Sequence, residues 1–197
     1  MGLTNNKSGL YSILSRNNHS RAPNVSWCWV ENDRTKRTKQ VRVVTRIEEG
    51  EEICASYLNG DDFPKKEERR QKLLPWFPTC LCRVCGLTGR ELKENEAVRE
   101  ELRKLHQQVQ QFGQMRKMDR AMKAALQKVQ LMEKIQDEVV KQVPTALMEY
   151  CILAAALGRK GAREKEFRER SGKMAAQFGP SFIKDYEGQC EEISMFG

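Results

Sequence analysis

The chain has 197 residues, of which 39% are hydrophobic and 31% are charged, so it is long enough for one or two small folded domains. Its longest uncharged apolar run, residues 150–157, is far shorter than the roughly 20 residues that a membrane-spanning helix needs. The polar residues 1–9 lack the apolar segment of a secretory signal. We therefore predict an intracellular protein of the nucleus or cytoplasm, with no membrane contact, whose seven cysteines are thiols or metal ligands rather than disulfides.

The net charge of +8 is concentrated in residues 1–90, which contain 16 basic and 10 acidic residues. Residues 34–39 form a dense basic cluster, which could attract phosphates or an acidic partner. No aromatic side chains alternate with these charges, as a stacking surface for nucleic-acid bases requires. We therefore interpret the cluster as a solvated hairpin loop and expect no nucleic-acid partner.

The first segment, residues 1–62, predicts irregular β structure. Its strand-like runs are rich in β-branched and aromatic residues and are separated by charged or glycine-containing turns. These runs are residues 26–30, 40–44 and 53–57. We expect them to form a small sheet that has too few strands to close a core by itself.

The second segment, residues 63–90, begins with a short helix over residues 65–74, which Pro75 ends. The third segment, residues 91–197, is predicted to be helical because its apolar residues recur every three or four positions. Its first two helices separate at Gly113 and would pack antiparallel through two apolar stripes. The stripes are Leu102, Leu105, Val109 and Phe112, and then Met118, Met122, Ala125, Val129 and Met132.

Proline and glycine residues mark three further helices in the third segment. Pro144 opens one helix, which ends near Gly158. Gly161 precedes another helix that reaches Gly179, and Pro180 opens the last. This succession of short helices predicts stacked helical hairpins of the tetratricopeptide kind, with a groove for peptide partners.

Cys80, Cys82 and Cys85 lie within six positions and form the most specific local motif. Thiolates so close together repel one another unless a soft cation holds them, and zinc is the commonest such cation. A closed structural zinc site has four ligands, so the fourth must come from elsewhere in the chain. The alternative is a group of unliganded thiols where a helix meets a loop.

Four motifs follow one another along the first 86 residues. They are Asn18-His19-Ser20 with Pro23-Asn24, the Gly50-Glu51-Glu52 turn that leads to Tyr57, the Glu67-Glu68-Arg69-Arg70 helix, and the cysteine knuckle. In this order they resemble the C-terminal half of the SET domain of protein lysine methyltransferases. The resemblance is strongest to the SMYD branch, in which a MYND zinc module splits the SET core and a helical domain follows. It implies an α+β protein with a partial SET β-fold, a post-SET-like cysteine knuckle and an all-α, tetratricopeptide-like C-terminal domain.

The resemblance also implies roles for single residues. Asn18 and His19 match the pair that lines the S-adenosylmethionine pocket, and Tyr57 matches the tyrosine that lies where the cofactor meets the substrate lysine. Because a proline stands at the family's usual position for the ring that covers the adenine, Phe77 or Trp76 would take that role. The substrate would be a lysine of a protein or a histone tail. Taken singly, each motif could be an ordinary polar turn or strand end, and the ordered combination favours the SET interpretation.

Two departures from the family bear on activity. Arg21 stands where the family has the cysteine that supplies a fourth thiolate to zinc, and arginine cannot ligate a metal, which leaves Cys28 or water as alternative ligands. The chain also begins just before the Asn18 motif, without a Gly-x-Gly cofactor loop or a MYND module. We expect a lysine methyltransferase of SET/SMYD type that is truncated, and these departures leave both an active and an inactive chain open. The alternative is a non-catalytic, SET-derived module that binds protein partners through its helical domain.

Overall fold

The computed structural model describes residues 14–33, 36–58, 63–135, 144–159 and 161–178. In these residues the fold is α+β, as the resemblance implies, and a 3₁₀ turn at Leu14–Arg16 leads into a four-stranded sheet and then five α-helices. The strands are β1 (Asn18–His19), β2 (Val25–Asp33), β3 (Lys36–Val43) and β4 (Cys54–Ala55). The helices are α1 (Lys66–Leu73), α2 (Gly89–Gln114), α3 (Met118–Met132), α4 (Pro144–Ala156) and α5 (Ala162–Phe178). Across the described ranges, no helix is long and apolar enough to cross a membrane.

The sheet has the order β1–β4–β2–β3, so the last strand in the chain lies between the first two. β4 pairs in parallel with both β1 and β2, while β2 and β3 form an antiparallel hairpin. Val25 at the start of β2 is opposite Val43 on one side and Ala55 on the other. Because β4 is inserted in this way, the residues that follow it lie beside the end of β1.

The three predicted strand runs are confirmed, since they overlap β2, β3 and β4. The interpretation of residues 34–39 as a loop is wrong for residues 36–39, which belong to β3, and residues 34–35 lie outside the described residues. The backbone pairing of β2 with β3 continues beyond the apolar residues of the hairpin, and Glu31 lies opposite Arg37. Strand pairing uses backbone groups, and it therefore extends through a charged run that a search for apolar alternation does not detect.

The predicted short helix is confirmed as α1. The Glu68 carboxylate accepts a hydrogen bond of 2.6 Å from the Lys65 N–H and so caps the first turn. Arg69 is buried, and its guanidinium donates to the carbonyl oxygens of Pro64 at 2.7 Å and Val84 at 3.5 Å. This arginine therefore ties the helix to the cysteine knuckle that follows it.

The helical region forms two hairpins. Short connections join α2 to α3 and α4 to α5, and the helices of each pair pack along one another. α3 packs against α4, so the four helices share one core. These predicted helices are therefore confirmed, except that Gly113 lies in the last turn of α2 rather than between helices. The helix expected after Pro180 lies outside the described residues.

The core of the helical region is built from the predicted apolar stripes. Its buried members include Leu102, Leu105, Val109, Ala125, Val129 and Met132, against which Phe112, Met118 and Met122 pack while partly exposed. Phe63, which precedes α1, belongs to the same core. The segment that carries the knuckle is thus attached to the helices by an apolar contact, which helps to hold the sheet and the helical region together.

Leu102→Ala should lower the free energy of unfolding by about 2–5 kcal/mol, because it leaves a cavity in the shared core. Leu102 is 0% exposed. Leu81→Ala makes the same chemical change at a side chain that is 83% exposed, and it should cost less than about 0.5 kcal/mol. Urea unfolding followed by far-ultraviolet circular dichroism measures both variants, and equal losses would contradict this core.

Candidate active site and thiol cluster

The parallel pairing of β1 and β4 brings two sequence motifs into contact. The Tyr57 N–H donates a hydrogen bond of 3.0 Å to Nδ1 of His19. The centroids of the two rings are 5.4 Å apart, and the ring planes are inclined by 54°. His19 is 5% exposed, so the contact belongs to the interior of the molecule. Two residues that the sequence predicts for one site, although they are 38 positions apart, therefore lie side by side.

Tyr57 lies in the middle of a group of rings, called here the aromatic cluster, which consists of His19, Trp27, Tyr57, Trp76 and Phe77. Trp27 stacks on Tyr57 at 6.0 Å and 18°, whereas Trp76 meets it edge-on at 5.6 Å. Phe77 lies 6.0 Å from Tyr57 and stacks on His19 at 6.0 Å and 27°. Both aromatic residues that the sequence offers ahead of the knuckle thus reach the cluster, and Phe77 is the one that stacks on His19.

Trp27 is absent from the predicted site but belongs to the aromatic cluster. It lies two residues after Val25, which is opposite Ala55 of β4, and residues two apart on a strand share a face. The tryptophan-bearing strand is visible in the sequence. Its position next to Tyr57, however, depends on the pairing of β2 with β4, which no local pattern reveals.

The Tyr57 hydroxyl donates a hydrogen bond of 2.5 Å to the carbonyl oxygen of Asn17. Burial raises the pKa of Tyr57, and the neighbouring Cys54 raises it further. The phenol therefore keeps its proton at physiological pH, since the ordinary pKa of tyrosine is already about 10. With that proton committed to Asn17, the hydroxyl oxygen can still accept a hydrogen bond from an amine.

Asn18 and His19 project from opposite faces of β1, because side chains alternate along a strand. The Asn18 side chain is exposed, and its Nδ2 donates to Oε1 of Glu52 at 2.5 Å. It therefore lies beside the turn formed by residues 50–52, on the other face from the contact between His19 and Tyr57.

Asn24 is buried just before β2 and connects three segments of the chain. Its Oδ1 accepts a hydrogen bond of 2.9 Å from the Cys54 N–H, and its Nδ2 donates to the Glu52 carbonyl at 2.8 Å. Its main chain donates to the Cys54 carbonyl at 3.2 Å and accepts from the Val44 N–H at 2.9 Å. The motif by itself assigns no role to Asn24, but these contacts hold β4 in place and so set the position of Tyr57.

Cys80, Cys82 and Cys85, called here the thiol cluster, lie against the loop that follows β1. Sγ of Cys82 accepts a hydrogen bond of 3.3 Å from the Arg21 N–H, and the Cys80 thiol donates to the His19 carbonyl at 3.9 Å. One ring nitrogen of His19 and the Sγ atoms of Cys80 and Cys85 all lie within 4.8 Å of one another. Cys82 is hydrogen-bonded to both of the other thiols. The fold therefore brings the three predicted thiols together and adds His19 to them.

Hydrogen bonds within the thiol cluster separate the pKa values of its members. The Cys85 thiol donates to Cys82 and lowers the pKa of Cys82, and the N–H groups of Arg21 and Cys85 lower it further. The same hydrogen bond, together with burial, raises the pKa of Cys85. Burial also raises the pKa of Cys80. Of the three thiols, Cys82 is therefore the one whose environment favours loss of the proton.

Arg21, which stands where the resemblance implies a fourth cysteine, is fully buried. Its N–H faces Cys82, but its guanidinium donates to the Leu58 carbonyl at 3.2 Å. The guanidinium offers no lone pair to a metal. The donors that converge are the sulfurs of Cys80 and Cys85 and one ring nitrogen of His19, and Cys82 is hydrogen-bonded to both of these sulfurs. Thiol sulfur and imidazole nitrogen are ligand types that zinc prefers, so the residues present fit such a cation. Cys28, the alternative ligand, lies outside the residues whose side chains the structure describes.

The chain is similar in sequence to a known lysine methyltransferase. The chain is 38% identical over 92 residues to the histone-lysine N-methyltransferase set5 of Schizosaccharomyces pombe. The match covers 45% of this chain and 26% of that protein, so the chain spans about a quarter of the length of the relative it matches. No protein-family profile matches the chain. The similarity supports homology to SET-domain lysine methyltransferases, and it carries no information on the SMYD branch.

Asn24→Ala should lower the free energy of unfolding by about 1–3 kcal/mol, because the partly buried Cys54 N–H and Glu52 carbonyl both lose a hydrogen-bond partner. Asn18→Ala is the matched control from the same motif. It removes an exposed amide that bonds to the Glu52 side chain, and it should cost less than about 0.5 kcal/mol. Urea unfolding followed by tryptophan fluorescence compares the two variants, and a loss at Asn24 no larger than that at Asn18 would refute the role given to Asn24.

Proposed function

We propose that the chain carries the C-terminal half of a SET-type active site of the SMYD branch. In this proposal the site serves the S-adenosylmethionine-dependent methylation of lysine in a protein or histone tail, inside the cell. The hydrogen bond from the Tyr57 N–H to His19 supports the proposal most directly, because it joins the two motifs that the SET resemblance assigns to one site. The similarity to a histone-lysine methyltransferase supports the same class of reaction.

We assign cofactor binding by this chain to His19 and Phe77 on one face of β1 and to Asn18 on the other face. S-adenosylmethionine, when bound, supplies a methyl group on a sulfonium sulfur. The Phe77 ring, which stacks on the buried His19, and the Trp76 ring, which is 58% exposed, offer flat aromatic faces that suit a heteroaromatic ring such as adenine. Aromatic faces also attract cations, which suits a sulfonium group.

Tyr57 is the proposed catalytic residue. Its neutral hydroxyl is oriented by the Asn17 carbonyl, so that its oxygen can accept an N–H of the lysine amine. Methyl transfer requires a neutral amine held in line with the methyl group, and positioning is therefore the main contribution that the protein makes. Trp27 and Trp76 pack against the Tyr57 ring, and a lysine that lost water on entering such an aromatic environment would have a lowered pKa.

We propose three units along the chain: residues 1–62 as part of a SET core, residues 63–90 as a short helix with a post-SET-like knuckle, and residues 91–197 as a tetratricopeptide-like helical domain. The helical region has a core shared by α2 to α5. A helical domain with such a core would suit a second candidate function, in which it binds peptide partners and the SET-derived part is a scaffold.

Tyr57→Phe should reduce lysine methylation by roughly 10²-fold or more, as removal of a positioned hydrogen-bonding group at a reacting centre does in other enzymes. Binding of S-adenosylmethionine, measured by calorimetry, should be nearly unchanged. Tyr150→Phe is the control, because Tyr150 packs on Phe167 in the helical region and its hydroxyl has no part in the site. Transfer of tritiated methyl groups to histones and other protein substrates measures the rate.

A chain that binds no S-adenosylmethionine at millimolar concentration does not methylate by itself, and this result would exclude the catalytic proposal. If the chain does not bind S-adenosylmethionine but binds peptide partners through residues 91–197, that result would favour the scaffold function instead. Equal methylation by the Tyr57 and Tyr150 variants would remove Tyr57 from the catalytic role while leaving the reaction class intact.

A further inference from the structure

The imidazole of His19 lies between Tyr57 on one side and the thiol cluster on the other. We infer that Cys80, Cys82, Cys85 and His19 together bind one soft divalent cation of the zinc class, and that His19 takes the place of the cysteine replaced by Arg21. This inference is independent of methyl transfer, because metal content can be measured without cofactor or substrate.

The distances suit four ligands around one cation. Bonds of about 2.3 Å to sulfur and about 2.0 Å to nitrogen place tetrahedral ligand atoms roughly 3.5–3.8 Å apart. The ring nitrogen of His19 and the sulfurs of Cys80 and Cys85 are already within 4.8 Å of one another, and Cys82 is hydrogen-bonded to Cys80 and Cys85. The ligand atoms of His19, Cys80 and Cys85 therefore need to approach one another by roughly 1 Å to reach the spacing of a tetrahedral site.

The knuckle is also held in a shape that presents its sulfurs. The Gly86 N–H donates to the Cys82 carbonyl at 2.7 Å, and a Cβ at Gly86 would lie 3.2 Å from that oxygen, so the tight turn favours glycine. The Arg21 N–H donates to the Cys82 sulfur, and the buried Arg69 holds the Val84 carbonyl. Backbone donors to a sulfur ligand and a fixed turn are the outer-shell features that orient metal ligands.

Cation binding at His19 changes its hydrogen bond with Tyr57. In the structure Nδ1 accepts the Tyr57 N–H, which leaves the proton of a neutral ring on Nε2. A cation on Nδ1 takes that lone pair directly. A cation on Nε2 moves the ring proton to Nδ1, as is usual for zinc-bound histidine, and Nδ1 then no longer accepts. Three metal–sulfur bonds and one metal–nitrogen bond form, the protonated thiols release their protons to water, and the Tyr57 N–H loses its acceptor.

Metal analysis of the purified full chain, by mass spectrometry and by zinc titration against a chromophoric chelator, tests the ligand set. We expect one zinc per chain. His19→Phe keeps a ring that can stack on Phe77 but removes the ligand, and it should weaken zinc binding by at least the roughly 10–100-fold that loss of an outer-shell partner costs. Adding Arg21→Cys to His19→Phe should restore binding through a fourth sulfur. His106→Phe, at the other histidine of the chain, is the control and should bind zinc like the unchanged protein.

If His19→Phe does not fold, X-ray absorption at the zinc edge of the unchanged chain identifies the ligands instead. Three sulfurs with the outer-shell scattering of one imidazole are expected for the unchanged chain. A four-sulfur site, which would point to a cysteine such as Cys54, or a site without imidazole scattering would overturn the inference. So would a chain without stoichiometric zinc, or a folded His19→Phe variant with unaltered affinity.

The link to Tyr57 has its own readout. In a chain labelled with ¹⁵N-tyrosine, zinc should shift the amide resonance of Tyr57 and leave that of Tyr150 in place. An unmoved Tyr57 resonance in the zinc-loaded chain would overturn the link. Failure of methylation alone would overturn the proposed function without touching this metal site.

Discussion

The insertion of β4 between β1 and β2 is the constraint on which the rest of the site depends, and Asn24 is the residue that secures it. Its side chain and main chain together bond to both sides of Cys54 and to the chain at Glu52 and Val44. Parallel strands of two residues have few backbone hydrogen bonds of their own, so a buried amide that bonds to the same segment contributes a large share of their stability. Tyr57 follows β4 directly and inherits its position from this arrangement.

His19 has a second organising role because it serves two neighbours. Its Nδ1 orients the backbone of Tyr57, while its ring also lies against the sulfurs of the thiol cluster. A ring nitrogen has one lone pair to offer. A change in the bonding of the His19 ring to the thiol cluster therefore alters its ability to accept the hydrogen bond from the Tyr57 N–H. The presence of Arg21 instead of a cysteine increases the importance of His19, since the buried guanidinium bonds to Leu58 and cannot act as a ligand.

The helical region contributes stability of a different kind. Its core is a continuous apolar contact among α2, α3, α4 and α5, and burial of such side chains is the largest favourable term in folding. The aromatic cluster, by contrast, keeps Trp76 largely exposed. Phe63 joins the segment before α1 to the helical core, and Arg69 joins α1 to the knuckle. A stable helical body thus supports a site that is assembled from short strands and loops.

Much of this protein is determined by its sequence alone. The helices, their apolar stripes, the short helix before Pro75 and the grouping of three thiols follow from periodicity and spacing, which are local properties of the chain. The contact of His19 with both Tyr57 and the thiol cluster, the place of Trp27 beside Tyr57 and the task of Asn24 were decided by the tertiary structure. So was the extension of β3 through Lys36 and Arg37. The first three features depend on contacts between segments that are distant in the chain, and no local pattern encodes which segments will meet. The extension of β3 depends on backbone pairing with β2, which does not require apolar side chains.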